Sequence, residues 1–75
     1  MIDVSQFIED FKEILVEVED ISLKTNLKDL DSYDSLFVLE IIQFFDEKYS
    51  INIDVEIIQN SVTLEDLYKR SFNIN

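Results

Sequence analysis

The residues best placed to do chemistry are Asp34, Ser35 and Leu36. They stand where an acidic, irregular stretch from Thr25 to Tyr33 meets the most apolar segment, Leu36 to Tyr49. A serine at such a junction opens a helix with its hydroxyl turned away from the core. That hydroxyl can act in two ways. It can be an activated nucleophile, or it can receive a group delivered by another protein. The first role needs a base, and the chain contains no His and no Cys, so the common nucleophile–base pairs cannot be built. Ser35 therefore reads as a modified residue, and no catalytic activity of the chain's own is expected.

Other chemistries fare worse. Without His or Cys, thiolate and imidazole metal ligands are missing, so a structural zinc site is excluded. Paired carboxylates are abundant and a glycosidase uses two of them. A domain this small leaves little room for a sugar cleft, however, and surface acids in an acidic chain are usually just solvated. Asp29, Asp31 and Glu40 fall on ligand positions of a calcium loop, but Tyr33 and Asp34 occupy places that need a ligand and a glycine. No high-affinity metal site is expected, only weak divalent binding to the clustered acids. A glycine-rich phosphate loop is impossible in a chain with no Gly. A phosphodiester on Ser35 would still lie at the positive end of a helix, although Asp34 opposes it by charge.

Elements must exist to position this serine. Seventy-five residues form one domain, residues 1–75, too small for large stability margins and without disulfides to help. A hydrophobic fraction of 47%, with six Phe and three Tyr, suffices for a core. Seventeen acidic residues against six basic ones leave a net charge of −11. That repels nucleic acid and anionic membranes and favours partners with basic patches. The blander reading of the acidity is solubility alone. No window is long and apolar enough to cross a bilayer, and Met1-Ile2-Asp3 lacks the basic start of a secretory signal. A cytoplasmic monomer is expected.

Phe7, Ile8, Phe11, Ile14, Leu15 and Val18 recur at helical spacing, predicting a first helix over Ile2 to Val18, capped by Asp3 or Ser5. From Val18 to Tyr33 no period is sustained. Ile21, Leu23, Leu27 and Leu30 are spaced as anchors of a long loop. With no Gly and no Pro in the chain, Asn, Asp and Ser must make every turn, here Asn26, Asp29 and Ser32. Asp34 caps a second helix from Ser35 to Tyr49. On a helical wheel Val38, Ile41, Ile42, Phe45 and Tyr49 form its core side. Glu40, Gln43 and Glu47 form the opposite stripe, Leu36 falls within that stripe, and Phe37 and Phe44 lie at the boundary. Ser50-Ile51-Asn52-Ile53 is an extended connector, and Asp54 caps a short helix through Ile58. Thr63-Leu64-Glu65-Asp66 is a capping box opening a last helix to about Ser71, with Leu64, Leu67 and Tyr68 inward. The tail from Asn73 frays. The fold class is all-α.

Laid out in this order, the chain from Leu27 resembles the acyl carrier protein family. Leu27-Lys28-Asp29-Leu30 is similar to the family's approach to its serine, and Asp34-Ser35-Leu36 to its attachment motif. Glu40 and Ile41 and Asp46 to Tyr49 are similar to the family's recognition helix and its end, Ile51-Asn52-Ile53 to its Ile-x-Ile connector, and Thr63 to Leu67 to the start of its last helix. The resemblance implies a four-helix bundle with a long first loop and a short third helix. It implies a covalent 4′-phosphopantetheine arm on Ser35, beside Asp34, donated from coenzyme A by a phosphopantetheinyl transferase. Cargo would be carried as a thioester and presented to acyl-loading and acyl-transfer enzymes with basic docking patches. Leu36, Glu40, Gln43 and Glu47 would face them.

The chain departs from the family pattern at several points. Asp31-Ser32-Tyr33 intervenes where the family often has a glycine, Ser50 stands where it usually has Gly, and Asp54 where it often has Pro. Ser32 is a competing serine, but it lacks the following leucine and does not open the helix in register. These departures point away from central fatty acid synthesis and toward a specialised lipid, glycan or secondary-metabolite pathway. The Phe content predicts limited room for a long acyl chain. The alternatives are a D-alanyl or other aminoacyl carrier and, from a different class, an unmodified acidic helical adaptor. An initiator Met and a near-complete domain argue against a carrier unit cut from a large synthetase.

Overall fold

A side-chain oxygen caps the start of every α-helix among the described residues. The computed structural model describes residues 3–15, 20–30 and 33–73. Among them are four α-helices and no strand: α1 (Val4–Lys12), α2 (Ser35–Tyr49), α3 (Val55–Gln59) and α4 (Leu64–Ser71). Asp3 accepts from the Gln6 N–H at 2.9 Å, Asp34 from Phe37 at 2.8 Å and Asp54 from Ile57 at 3.1 Å. At α4 the Thr63 hydroxyl accepts from the Asp66 N–H, and the Asp66 carboxylate accepts from Thr63 and Val62 in return. Such caps contribute about 1 kcal/mol each. Those backbone N–H groups, Thr63 first and Val62 next, hold the Asp66 carboxyl below the ordinary aspartate value.

The first helix is shorter than its apolar period predicts. It ends at Lys12, not Val18, because the N–H groups of Glu13, Ile14 and Leu15 turn to carbonyls three residues back, at 3.1 to 3.2 Å. This tighter turn keeps Ile14 and Leu15 packed against the core as the helix unwinds. Val18, the last expected member of that face, lies outside the described residues, as do Ile2, Ser32 and the last two positions of the tail.

The long connection is anchored to the far end of the chain. Asn26 caps a 3-10 turn at Leu27–Asp29 by accepting from the Lys28 N–H, and Leu27 and Leu30 are buried beneath it. The Leu27 N–H donates to the Val62 carbonyl at 3.0 Å. In return the first amides of α4, Leu64 and Glu65, donate to the carbonyls of Thr25 and Leu23 at 2.9 Å. The loop therefore satisfies a helix end that would otherwise need water.

The core is aromatic. Phe7 is fully buried, with ring centroids of Phe11, Phe44, Phe45, Tyr49, Tyr68 and Phe72 within 5.1 to 6.4 Å. These contacts decide which face of α2 turns inward. Phe37 and Phe44, expected at the boundary, are 2% and 4% exposed, while Val38, Ile42 and Tyr49 are only partly buried. On a wheel of 100° per residue the buried face is rotated by roughly 70° from the predicted one. The reason is area: a phenyl ring removes more apolar surface from water than a valine, so the helix turns toward the rings of α1.

Past α2, Ser50 adopts a left-handed conformation with φ 55° and ψ 37°. Its N–H donates to the carbonyls of Asp46 and Phe45, and the Ile51 N–H also reaches Phe45, at 3.1 Å. A side chain in this region costs about 1–2 kcal/mol relative to glycine, against about 0.4–1 kcal/mol of extra chain entropy that glycine loses on folding. Ser50→Gly is therefore expected to stabilise the domain by about 0.5–1 kcal/mol, read as a higher urea midpoint. A lower midpoint would show that the Ser50 side chain contributes more than the strain it causes.

Candidate functional site

Ser35 is the first residue of α2 and is exposed. Asp34, one residue earlier, is extended and performs the capping, with its carboxylate on the Phe37 N–H. This division of labour leaves the serine unengaged. Among the described residues the Ser35 hydroxyl makes no hydrogen bond, and neither do the N–H groups of Ser35 and Leu36. A phosphodiester on the hydroxyl would lie at the positive end of the helix dipole, near two amides without partners among the described residues and beside the Asp34 carboxylate. Asp31 and Ser32, the competing pair, lie outside the described residues.

Leu36 is 68% exposed, as its place on the wheel predicts. Leu39, 58% exposed, was missed. The rotation of α2 explains both the exposure and the omission. Turning the helix toward Phe7 and Phe11 carries Leu39 to the side opposite the core. The two leucines sit three residues apart and so adjoin on the helix surface. Together they make an apolar head beside Ser35 that only the packed structure reveals.

Glu40, Gln43 and Glu47 are exposed along α2 and line an open groove of about 440 Å³. The opposite wall comes from Glu13 and Ile14, just beyond α1, with Phe44 and Lys48 completing it. Leu36 does not line this groove, so the predicted stripe divides into an apolar head and an acidic channel. Gln43 donates to Glu47 at 2.9 Å. Lys48 bridges to Glu13 at 2.7 Å across the groove. That hydrogen bond holds the Lys48 ammonium above the usual lysine value; partial desolvation pulls the other way, and the charges of Glu13 and Asp10 add to the rise. Glu13, Ile14 and Lys48 were not read as site residues, because their meeting depends on where α1 unwinds. Among the described residues no three His, Cys, Asp or Glu side chains cluster to hold a metal ion.

One more contact fixes the far end of α2. The Tyr49 hydroxyl donates to the Asp10 carboxylate at 2.8 Å. Burial first, then this bond and the Asp10 charge, push the Tyr49 pKa far above the ordinary tyrosine value. The neutral phenol is thus favoured by folding. Its contribution is complete below the unfolded tyrosine pKa of about 10 and declines as pH rises beyond it, where the unfolded chain ionises and the folded one does not. Alkaline titration of phenolate absorbance should show the Tyr49 phenol ionising only at the unfolding transition. In Tyr49→Phe that delayed step should vanish; its persistence would place the protected phenol elsewhere.

No helix among the described residues is long and apolar enough to cross a membrane. Comparison with protein-family models, with curated proteins and with solved structures returned no match to this chain.

Proposed function

We propose that the chain is a carrier protein of the acyl carrier type, bearing a 4′-phosphopantetheine arm on Ser35 and taking part in a specialised lipid, glycan or secondary-metabolite pathway. The observation that carries this reading is the exposed hydroxyl at the first position of α2, unbonded among the described residues and directly behind a residue that already caps the helix. The Asp34-Ser35-Leu36 motif supports it. So does the architecture around it: a long anchored first connection, a fifteen-residue α2 and a five-residue α3.

The chemistry asked of the chain is small. The Ser35 oxygen forms a bond to the phosphorus of coenzyme A that carries pantetheine. The pyrophosphate P–O bond breaks, adenosine 3′,5′-bisphosphate leaves, and the hydroxyl proton passes to a base on the transferase. When bound, the arm supplies a thiol for thioester formation with cargo. The chain's own residues position and advertise that arm. The amides of Ser35 and Leu36, unbonded among the described residues, would be available to the phosphodiester, and Asp34 holds the first turn closed. Leu36, with Leu39, offers apolar contact beside the serine. Glu40, Gln43 and Glu47 present acidic and polar groups to a basic partner, and the overall charge speeds the encounter.

Incubation of the purified chain with coenzyme A, Mg²⁺ and a broad-specificity phosphopantetheinyl transferase tests the reading by intact mass. One phosphopantetheinyl group per chain is expected. A chain that stays unmodified after prolonged incubation would contradict the carrier reading and favour an acidic adaptor that uses α2 only for docking.

A further inference from the structure

On the carrier reading of Ser35, we propose that the cargo is a short acyl group, amino-substituted ones included, and that it stays outside the helix bundle. An acyl group on a flexible arm has two resting places: solvent, or the interior beneath the helices. A long alkyl chain gains by leaving water, and the gain grows with each methylene. A short or charged group gains little. The cargo class therefore depends on whether the interior beside Ser35 can admit a chain.

The interior is filled along the way in. Tyr33, two residues before Ser35, sets its ring edge-on to Phe37 at 6.3 Å. Phe37 meets Phe11 edge-on at 6.1 Å, and Phe11 meets Phe44 at 5.7 Å, again edge-on. Phe7 closes the series from the other side, against Phe11 at 5.9 Å and Tyr68 at 5.1 Å. Ile41, Ile58, Leu64 and Leu67 fill the aliphatic remainder and are at most 1% exposed. Interlocked rings have few alternative arrangements, so a chain entering here must break several edge-to-face contacts at once. The recess beside α2 does not substitute, because Glu13, Glu40, Glu47 and Lys48 line it and it is open to water.

The absence of cysteine allows a test that does not depend on the transferase. Ser35→Cys supplies the chain's single thiol, which can be alkylated with an iodoacetamide on a spacer of pantetheine length ending in an acetyl or a decanoyl amide. Amide spectra of the two conjugates are then compared by NMR. The proposal expects the decanoyl conjugate to match the acetyl one at Ile41, Phe45, Ile53, Ile58 and Leu67, with differences confined to residues around Asp34 to Leu39. Large shifts at Ile41, Ile53 and Ile58 in the decanoyl conjugate would show that the chain levers α2 from α3 and would overturn the short-cargo inference while leaving the carrier reading intact. Failure of native Ser35 to accept phosphopantetheine from coenzyme A would overturn the carrier reading, and the cargo inference with it.

Discussion

Phe7→Ala is expected to remove a large share of the domain's stability and to lower its urea midpoint sharply. Phe7 is fully buried and touches rings contributed by α1, by α2 and by the α4 end of the chain. Replacing a buried phenylalanine by alanine typically costs about 3–5 kcal/mol, through lost transfer free energy and the cavity left behind. A domain of this length has about 4–11 kcal/mol to lose. A single ring here is therefore a large share of the total, and the rings packed on it lose their edge contacts as well. Urea unfolding followed by far-UV circular dichroism measures the effect. Phe7→Leu, which keeps most of the volume, should lose clearly less. A Phe7→Ala midpoint near that of the parent protein would mean that the core closes over the gap, and that the ring cluster does not hold the helices together.

The helix starts were legible because capping is local chemistry. Asp34, Asp54 and Thr63 each precede a helix by one residue, and the sequence places all three correctly. No glycine or proline obscured the signal. The end of α1 was not legible, since its apolar period runs on past Lys12 while the backbone tightens into three-residue bonds. Period reports which side chains seek the core; it does not report how the backbone brings them there. The inward face of α2 was displaced for a related reason. A wheel weighs each apolar residue by position, whereas packing weighs it by area and by the shape of its neighbours. Phe44 and Phe37 were drawn in by Phe7 and Phe11, which no property of α2 alone encodes.

The candidate site was legible to the extent that it is local. Ser35 at the head of α2, the cap by Asp34 and the exposure of Leu36, Glu40, Gln43 and Glu47 all follow from one helix and its pattern. What the sequence could not supply is tertiary. Leu39 joined Leu36 once α2 had rotated. Glu13 and Ile14 became the far wall of the acidic groove only because α1 stops early, and Lys48 reaches across to Glu13 from α2. The tie of Leu23 and Thr25 to the start of α4 has no counterpart in the local pattern either.

Ser35→Ala is the second substitution with a large expected effect, and its effect is on chemistry alone. The hydroxyl makes no hydrogen bond among the described residues and the residue is exposed, so its removal should leave stability within about 0.5 kcal/mol of the parent protein. Alanine is also the better helix former. Against that unchanged fold, acceptance of phosphopantetheine should fall to nothing. A partial loss would indicate a second acceptor. The neighbouring Ser32 is the natural control, since it lies in the same acidic stretch of sequence three positions before Ser35.

The most direct measurement is therefore site-resolved mass spectrometry of three proteins, the parent chain, Ser35→Ala and Ser32→Ala, each treated with coenzyme A and the transferase and then digested. The account predicts one phosphopantetheinyl group on the Ser35 residue in the parent chain and in Ser32→Ala, and none anywhere in a folded Ser35→Ala. A group found on Ser32, or one that survives the loss of the Ser35 hydroxyl, would contradict it.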